Sequence, residues 1–82
     1  MNFAVVFEPV SEPGFPAGYF YAHVPSLGLT THGEGVAGAR AAVKELAELW
    51  VAEKQANAEP IPVSTEFLVS TLEISDHALQ SA

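Results

Sequence analysis

The chain contains no cysteine. That absence excludes a disulfide framework, thiolate metal sites and a cysteine nucleophile. Cations are nearly as scarce: Arg40, Lys44 and Lys54 are the 3 Lys and Arg residues against 10 carboxylates, for a formal net charge of −7. Direct nucleic-acid binding needs several cations to displace counterions from phosphates, and these side chains are too few for such a footprint. No apolar run approaches the roughly 20 residues that span a bilayer, so no membrane association is expected. The start, Met1-Asn2-Phe3-Ala4-Val5-Val6-Phe7, has no basic n-region and reaches Glu8-Pro9 too early for a secretory signal. A cytoplasmic location is the expectation that follows.

What remains is ample for folding. The 82 residues are 49% hydrophobic and 10% aromatic, which sets the chain apart from disordered sequences and leaves material for one core. A chain this short buries only about 60–65% of its unfolded surface, so self-association would add stability. The acidity suits electrostatic steering of a basic partner, although it also serves plain solubility.

Asn2 to Val10 reads as strand one, with Phe3, Val5 and Phe7 on one face and Ala4 and Val6 on the other. Ser11-Glu12-Pro13-Gly14 turns the chain, and Gly14 to Gly18 is a loop. Tyr19 to Val24 alternates as strand two: Phe20, Ala22 and Val24 face one way, Tyr19, Tyr21 and His23 the other. Pro25-Ser26-Leu27-Gly28 connects tightly to strand three, Leu29 to Gly33. From Val36 the period changes. Val36, Ala39, Val43, Leu46, Ala47 and Trp50 form the apolar stripe of an amphipathic helix that ends near Asn57, ahead of Pro60 and Pro62. Its outer side carries Arg40, Lys44, Glu45, Glu48 and Glu53, with Lys44 and Glu48 spaced as a weak surface pair. Gly35 and Gly38 weaken the first turn by roughly 1 kcal/mol each relative to Ala. Phe67 to Ile74 reads as a fourth strand, and 76–82 as a short polar tail after a domain of residues 1–75.

The expected fold is therefore α+β, in the order β-β-β-α-β. One helix covers one face of such a sheet. The other face carries Tyr19, Tyr21, Ala4 and Val6, which marks it as an interface.

Side chains that could carry chemistry are few. His23 and His32 flank the Pro25–Gly28 turn and are expected to face each other across the hairpin, but a metal needs a third convergent ligand. Glu34 lies past the strand end, His77 falls in the tail, and no HxxE, HxH or HExxH spacing occurs. Glu8, Glu12, Glu34 and Glu73 are scattered at strand ends rather than paired for acid–base work. No nucleophile elbow is present, and Gly33-Glu34-Gly35 lacks the lysine and further glycines of a phosphate loop. The expectation is a non-enzyme without cofactor or metal. A small metal-dependent hydrolase using His23, His32 and a glutamate is the alternative from another class.

The run Tyr19-Phe20-Tyr21-Ala22-His23-Val24-Pro25-Ser26-Leu27-Gly28-Leu29-Thr30-Thr31-His32-Gly33-Glu34-Gly35, with the Ala-rich helix ending Leu46-Ala47-Glu48-Leu49-Trp50, resembles the HicB antitoxin family. The family pattern is an aromatic strand, V-P-D-L-P-G, a short x-T-x-G-D/E strand and an E-A-rich helix; Glu59-Pro60-Ile61-Pro62 is similar to its post-helix segment. Ser26 stands where the family has Asp, one residue of the Pro-Gly turn is missing, and Gly35 replaces a capping Thr or Ser. The resemblance spans about residues 3–75. It implies a partial RNase-H-like fold without nuclease residues, and a role in binding and neutralising a small basic RNA-cleaving toxin of the HicA kind. Many members add a C-terminal DNA-binding segment that represses their own operon; residues 76–82 offer none, so autorepression is not expected. The partners expected are a second copy, as homodimer or higher oligomer, and such a toxin. The residues expected at partner surfaces are Tyr19, Tyr21 and His23, with Glu34, Glu45 and Glu48 as steering charges. An orphan homo-oligomer without a toxin is the alternative within the family.

Overall fold

Alternation in Tyr19–Val24 builds the middle of a small sheet, because a strand between two neighbours can bury one side and leave the other open. The computed structural model describes residues 1–62 and 67–75. Strand β1 is Val6–Pro9, β2 is Tyr19–Val24 and β3 is Leu29–Glu34, followed by helix α1, Gly35–Ala56. The strands form one antiparallel sheet in the order β1-β2-β3. The chain is thus α+β, with a three-stranded antiparallel meander leading into one helix, as the sequence implies.

Strand one is shorter than its sequence pattern. In the observed register Val6 pairs with His23 and Pro9 with Phe20, so continuing backwards would set Ala4 against Pro25. A proline cannot donate to a ladder, and β2 ends there. Residues 2–5 nevertheless keep the predicted facing, since Phe3, Val5 and Phe7 all pack against the core.

The β2–β3 hairpin closes on Val24 opposite Leu29. Leu27 N–H donates to the Val24 carbonyl at 3.1 Å and Gly28 N–H to that of Pro25 at 3.3 Å, shaping the connection. That closing pair sets every partner along the hairpin: His23 faces Thr30, and His32 faces Tyr21. The two histidines are therefore not opposite each other as expected, because the turn rather than their spacing from it fixes the register.

Helix α1 packs chiefly on β3 and β2. Ala22, Val24, Ala39 and Val43 are the buried centre, surrounded by Phe3, Val5, Phe7, Phe20, Leu27 and Leu29. Contact is closest where the helix begins. A Cβ on Gly33 would overlap the backbone of Gly38 and Ala39, so only a glycine fits there. Gly35 has φ +67 and donates its N–H to the Gly18 carbonyl at 2.7 Å. Its weak helix propensity is thus secondary to the left-handed conformation that turns the chain from β3 into α1. Val36, expected in the buried stripe, is 43% exposed, because the first turn makes its contact through Gly38, about 200° around the helix. The predicted exposed positions Arg40, Lys44, Glu45, Glu48 and Glu53 are all exposed. Asn57 caps the C-terminus as its N–H bonds the Glu53 carbonyl at 3.1 Å.

Among the described residues no helix is long and apolar enough to cross a membrane. Phe67–Ile74, expected as a fourth strand, takes neither helix nor strand conformation here. Its apolar side chains are exposed, Leu68 at 96% and Leu72 at 85%. The expected polar tail, 76–82, lies outside the described residues.

Candidate partner-binding face

The pleat sends alternate side chains of all three strands to the side away from α1. Pairing of Glu8 with Tyr21, Tyr21 with His32, His23 with Thr30 and Tyr19 with Glu34 puts these residues on one open face. Tyr19, Tyr21 and His23 occupy its centre, half-buried, as the alternation in β2 implies.

Two carboxylates are tied down on this face. Glu8 Oε1 lies 2.9 Å from His23 Nε2, and Thr30 Oγ1 lies 3.0 Å from His23 Nδ1. With a neutral imidazole, Nε2–H donates to Glu8 while Nδ1 accepts from the threonine hydroxyl; protonation turns the Glu8 contact into an ion pair. Glu12, from the β1–β2 loop, accepts a 2.8 Å hydrogen bond from the Tyr21 hydroxyl. The Tyr21 phenol is held above its ordinary pKa, first by that hydrogen bond, then by desolvation, then by the negative charges of Glu12 and Glu8.

The rings form a continuous cluster. Phe15, from the same loop, meets the His32 ring edge-on at 5.1 Å between centroids, and meets Tyr19 at 6.1 Å and Tyr21 at 6.2 Å. Tyr21 continues to His23 at 5.9 Å. Phe15 is the member that sequence reasoning missed. It sits between Gly14 and Gly18 in a segment without periodicity, so only its apolar character among turn residues could have flagged it.

The positive charges lie elsewhere. Arg40 stands over the Phe7 ring at 5.2 Å, Lys44 approaches Glu48 at 3.9 Å, and Lys54 lies over Trp50 at 5.3 Å and beside Glu59 at 3.1 Å. All of these cations belong to α1, the opposite layer. Of the steering charges expected from sequence, Glu34 joins the open face, whereas Glu45 and Glu48 are on the exposed side of the helix. The structure thus separates that set into two surfaces.

An open face that combines fixed carboxylates with exposed ring edges and faces is chemically suited to Arg and Lys side chains. Carboxylates accept the guanidinium or ammonium, and the rings offer cation–π contact. Among the described residues no group of three His, Cys, Asp or Glu gathers as a metal-binding cluster. His77 lies outside them.

On the other side of the sheet a groove of about 480 Å³ opens between the β1 side and α1. Phe3, Val5, Val24, Val43, Ala47 and Val51 form its apolar walls, with Arg40 and Lys44 at its border. It exists because α1 lies over β3 and β2 and leaves the β1 side of the sheet less covered. Comparison with protein-family models, with curated proteins and with solved structures returned no match.

Proposed function

We propose that this chain is a non-catalytic, cytoplasmic protein-binding module of the HicB antitoxin kind, whose open sheet face captures a small basic RNA-cleaving toxin of the HicA kind. The observation that carries this reading is the division of charge: Glu8, Glu12 and Glu34 surround the Phe15–Tyr19–Tyr21–His32 ring cluster, while Arg40, Lys44 and Lys54 are confined to the helix layer. A basic surface approaching from the sheet side meets carboxylates already oriented by Tyr21 and His23, which lowers the ordering cost of binding. Tyr19, Tyr21, His23 and Glu34 are the contact residues in this reading. Glu45 and Glu48, on the far layer, contribute only to the long-range field that speeds encounter. The same reading takes Phe67–Ile74, from the same or a second copy, as the fourth strand of a partial RNase-H-like β-β-β-α-β fold.

The test is affinity capture from native lysate at low and moderate salt, with bound proteins identified by mass spectrometry and the recovered protein then measured kinetically. One small basic protein is expected. Changing Glu8, Glu12 and Glu34 together to Gln should speed its dissociation, whereas Glu45→Gln with Glu48→Gln should slow association only and flatten the salt dependence. Recovery of no basic protein under either condition refutes the reading. The exposed apolar run Phe67–Ile74 favours one second reading, an orphan homo-oligomer without a toxin.

A further inference from the structure

Among the described residues the chain carries two apolar surfaces that lie apart. One is the groove between the β1 side and α1, walled by Phe3, Val5, Val24, Val43, Ala47 and Val51. The other is Phe67–Ile74, where Phe67, Leu68, Val69, Leu72 and Ile74 are 46%, 96%, 75%, 85% and 57% exposed. In extended conformation Leu68, Leu72 and Ile74 share one side and Phe67 and Val69 the other, which is the pattern of a strand covered on both faces. Among the described residues strand β1 pairs with β2 alone, so its other edge can accept a strand beside the groove.

We propose that this groove receives the Phe67–Ile74 segment of a second copy of the chain, in a reciprocal exchange that gives a symmetric dimer. Several observations select a second copy over the chain's own segment. The segment's apolar side chains stay in solvent. The exit from α1 runs through Glu59-Pro60-Ile61-Pro62, where paired prolines favour an extended, semi-rigid spacer over a tight return. Arg40, Lys44 and Glu48 line the groove, leaving its rim net positive toward Glu73, the charged residue of the segment. Five such side chains of roughly 100 Å² each, the smaller groove surface and the symmetry together give about 1,400 Å², within the range of stable interfaces. Reciprocal exchange also closes the assembly, leaving no groove free. It uses the face opposite to the Tyr19–Tyr21–His23 surface, so it stands independently of what that surface binds.

The absence of native cysteine makes the test direct. Full-length chains carrying Leu72→Cys are mixed with chains carrying Ala47→Cys, oxidised and run without reductant, alongside a double variant and sedimentation of the native chain. The expected results are a native dimer, a covalent product between the two single variants, and an intermolecular product from the double variant. Leu68→Asp with Leu72→Asp, both far from the core, should weaken self-association by roughly 100-fold while leaving the circular dichroism unchanged. A monomeric native chain overturns the proposal. So does a disulfide formed within one chain of the double variant, the absence of any cross-link, or a dimer that withstands the Asp substitutions.

Discussion

Gly33 and Gly38 face each other where α1 meets β3, yet alanine should act in opposite directions at the two positions. A Cβ on Gly33 would overlap the Gly38 carbonyl group and the Ala39 nitrogen, all backbone atoms that no rotamer change can move. Relief requires lifting the helix start away from β3, which loosens Ala22 and Ala39, both 0% exposed. Overpacking of this kind costs about 1–3 kcal/mol, and a backbone clash belongs at the upper end. Against a total of about 4–12 kcal/mol for a domain of this size, a loss of about 3 kcal/mol lowers Tm by about 12–24 °C. At Gly38 the nearest atom to an added Cβ is the Gly33 carbonyl carbon at 3.5 Å, an ordinary contact. There the gain in helix propensity, about 1 kcal/mol, prevails and raises Tm by about 4–8 °C. Thermal and urea unfolding followed by far-ultraviolet circular dichroism, at one fixed protein concentration so that self-association does not confound the comparison, measure both. A Gly33→Ala variant as stable as the native chain, or a Gly38→Ala variant that loses as much as Gly33→Ala, would refute this account of the helix–sheet contact.

Two further outcomes follow from the open face and the hairpin turn. In a spectrophotometric titration of the Tyr19→Phe background, Tyr21 should ionise above the usual phenol pKa near 10, and Glu12→Gln should bring it down. Because the folded-state value is raised, the stabilisation is complete below the unfolded pKa and is lost as pH rises through the folded one, so the native chain should lose stability across that alkaline window while Glu12→Gln, which starts less stable, shows a smaller loss there; equal profiles would contradict the hydrogen bond. Among the described residues Ser26 Oγ is shielded from solvent without a hydrogen-bond partner. Ser26→Ala should therefore leave the urea midpoint unchanged or raise it by up to about 1 kcal/mol in stability, whereas a loss of that size would reveal a partner for the hydroxyl.

The sequence made some layers of this molecule readable and concealed others for identifiable reasons. Alternation in Tyr19–Val24 and the three- and four-residue stripe through Ala39, Val43 and Leu46 are local patterns, and the strand, the helix and the two faces of β2 follow from them. The helix end at Asn57 was equally local, set by the prolines beyond it. Register was not, since a four-residue connection decides whether His23 meets His32 or Thr30. Pairings such as Glu12 with Tyr21 and Glu8 with His23 depend on that register and on a loop path, and so do not show in any spacing. In sequence Gly33 reads as a strand end and Gly35 as a poor helix residue, because the meaning of a glycine lies in what approaches it. Phe67–Ile74 has a strand's composition, but a strand also needs an edge to pair with, and composition does not say which edge.

The division of aromatic residues between the two layers gives the molecule separate optical channels. Its single tryptophan, Trp50, is on α1, whereas both tyrosines, Tyr19 and Tyr21, are on the open face of β2. Selective excitation of the indole observes the helix layer alone, and quenching or a spectral shift there reports events on that side. Tyrosine absorbance and energy transfer from tyrosine to the indole observe the sheet side. A ligand arriving at one surface and a second copy arriving at the other can thus be followed simultaneously in the unlabelled protein, each by its own chromophore.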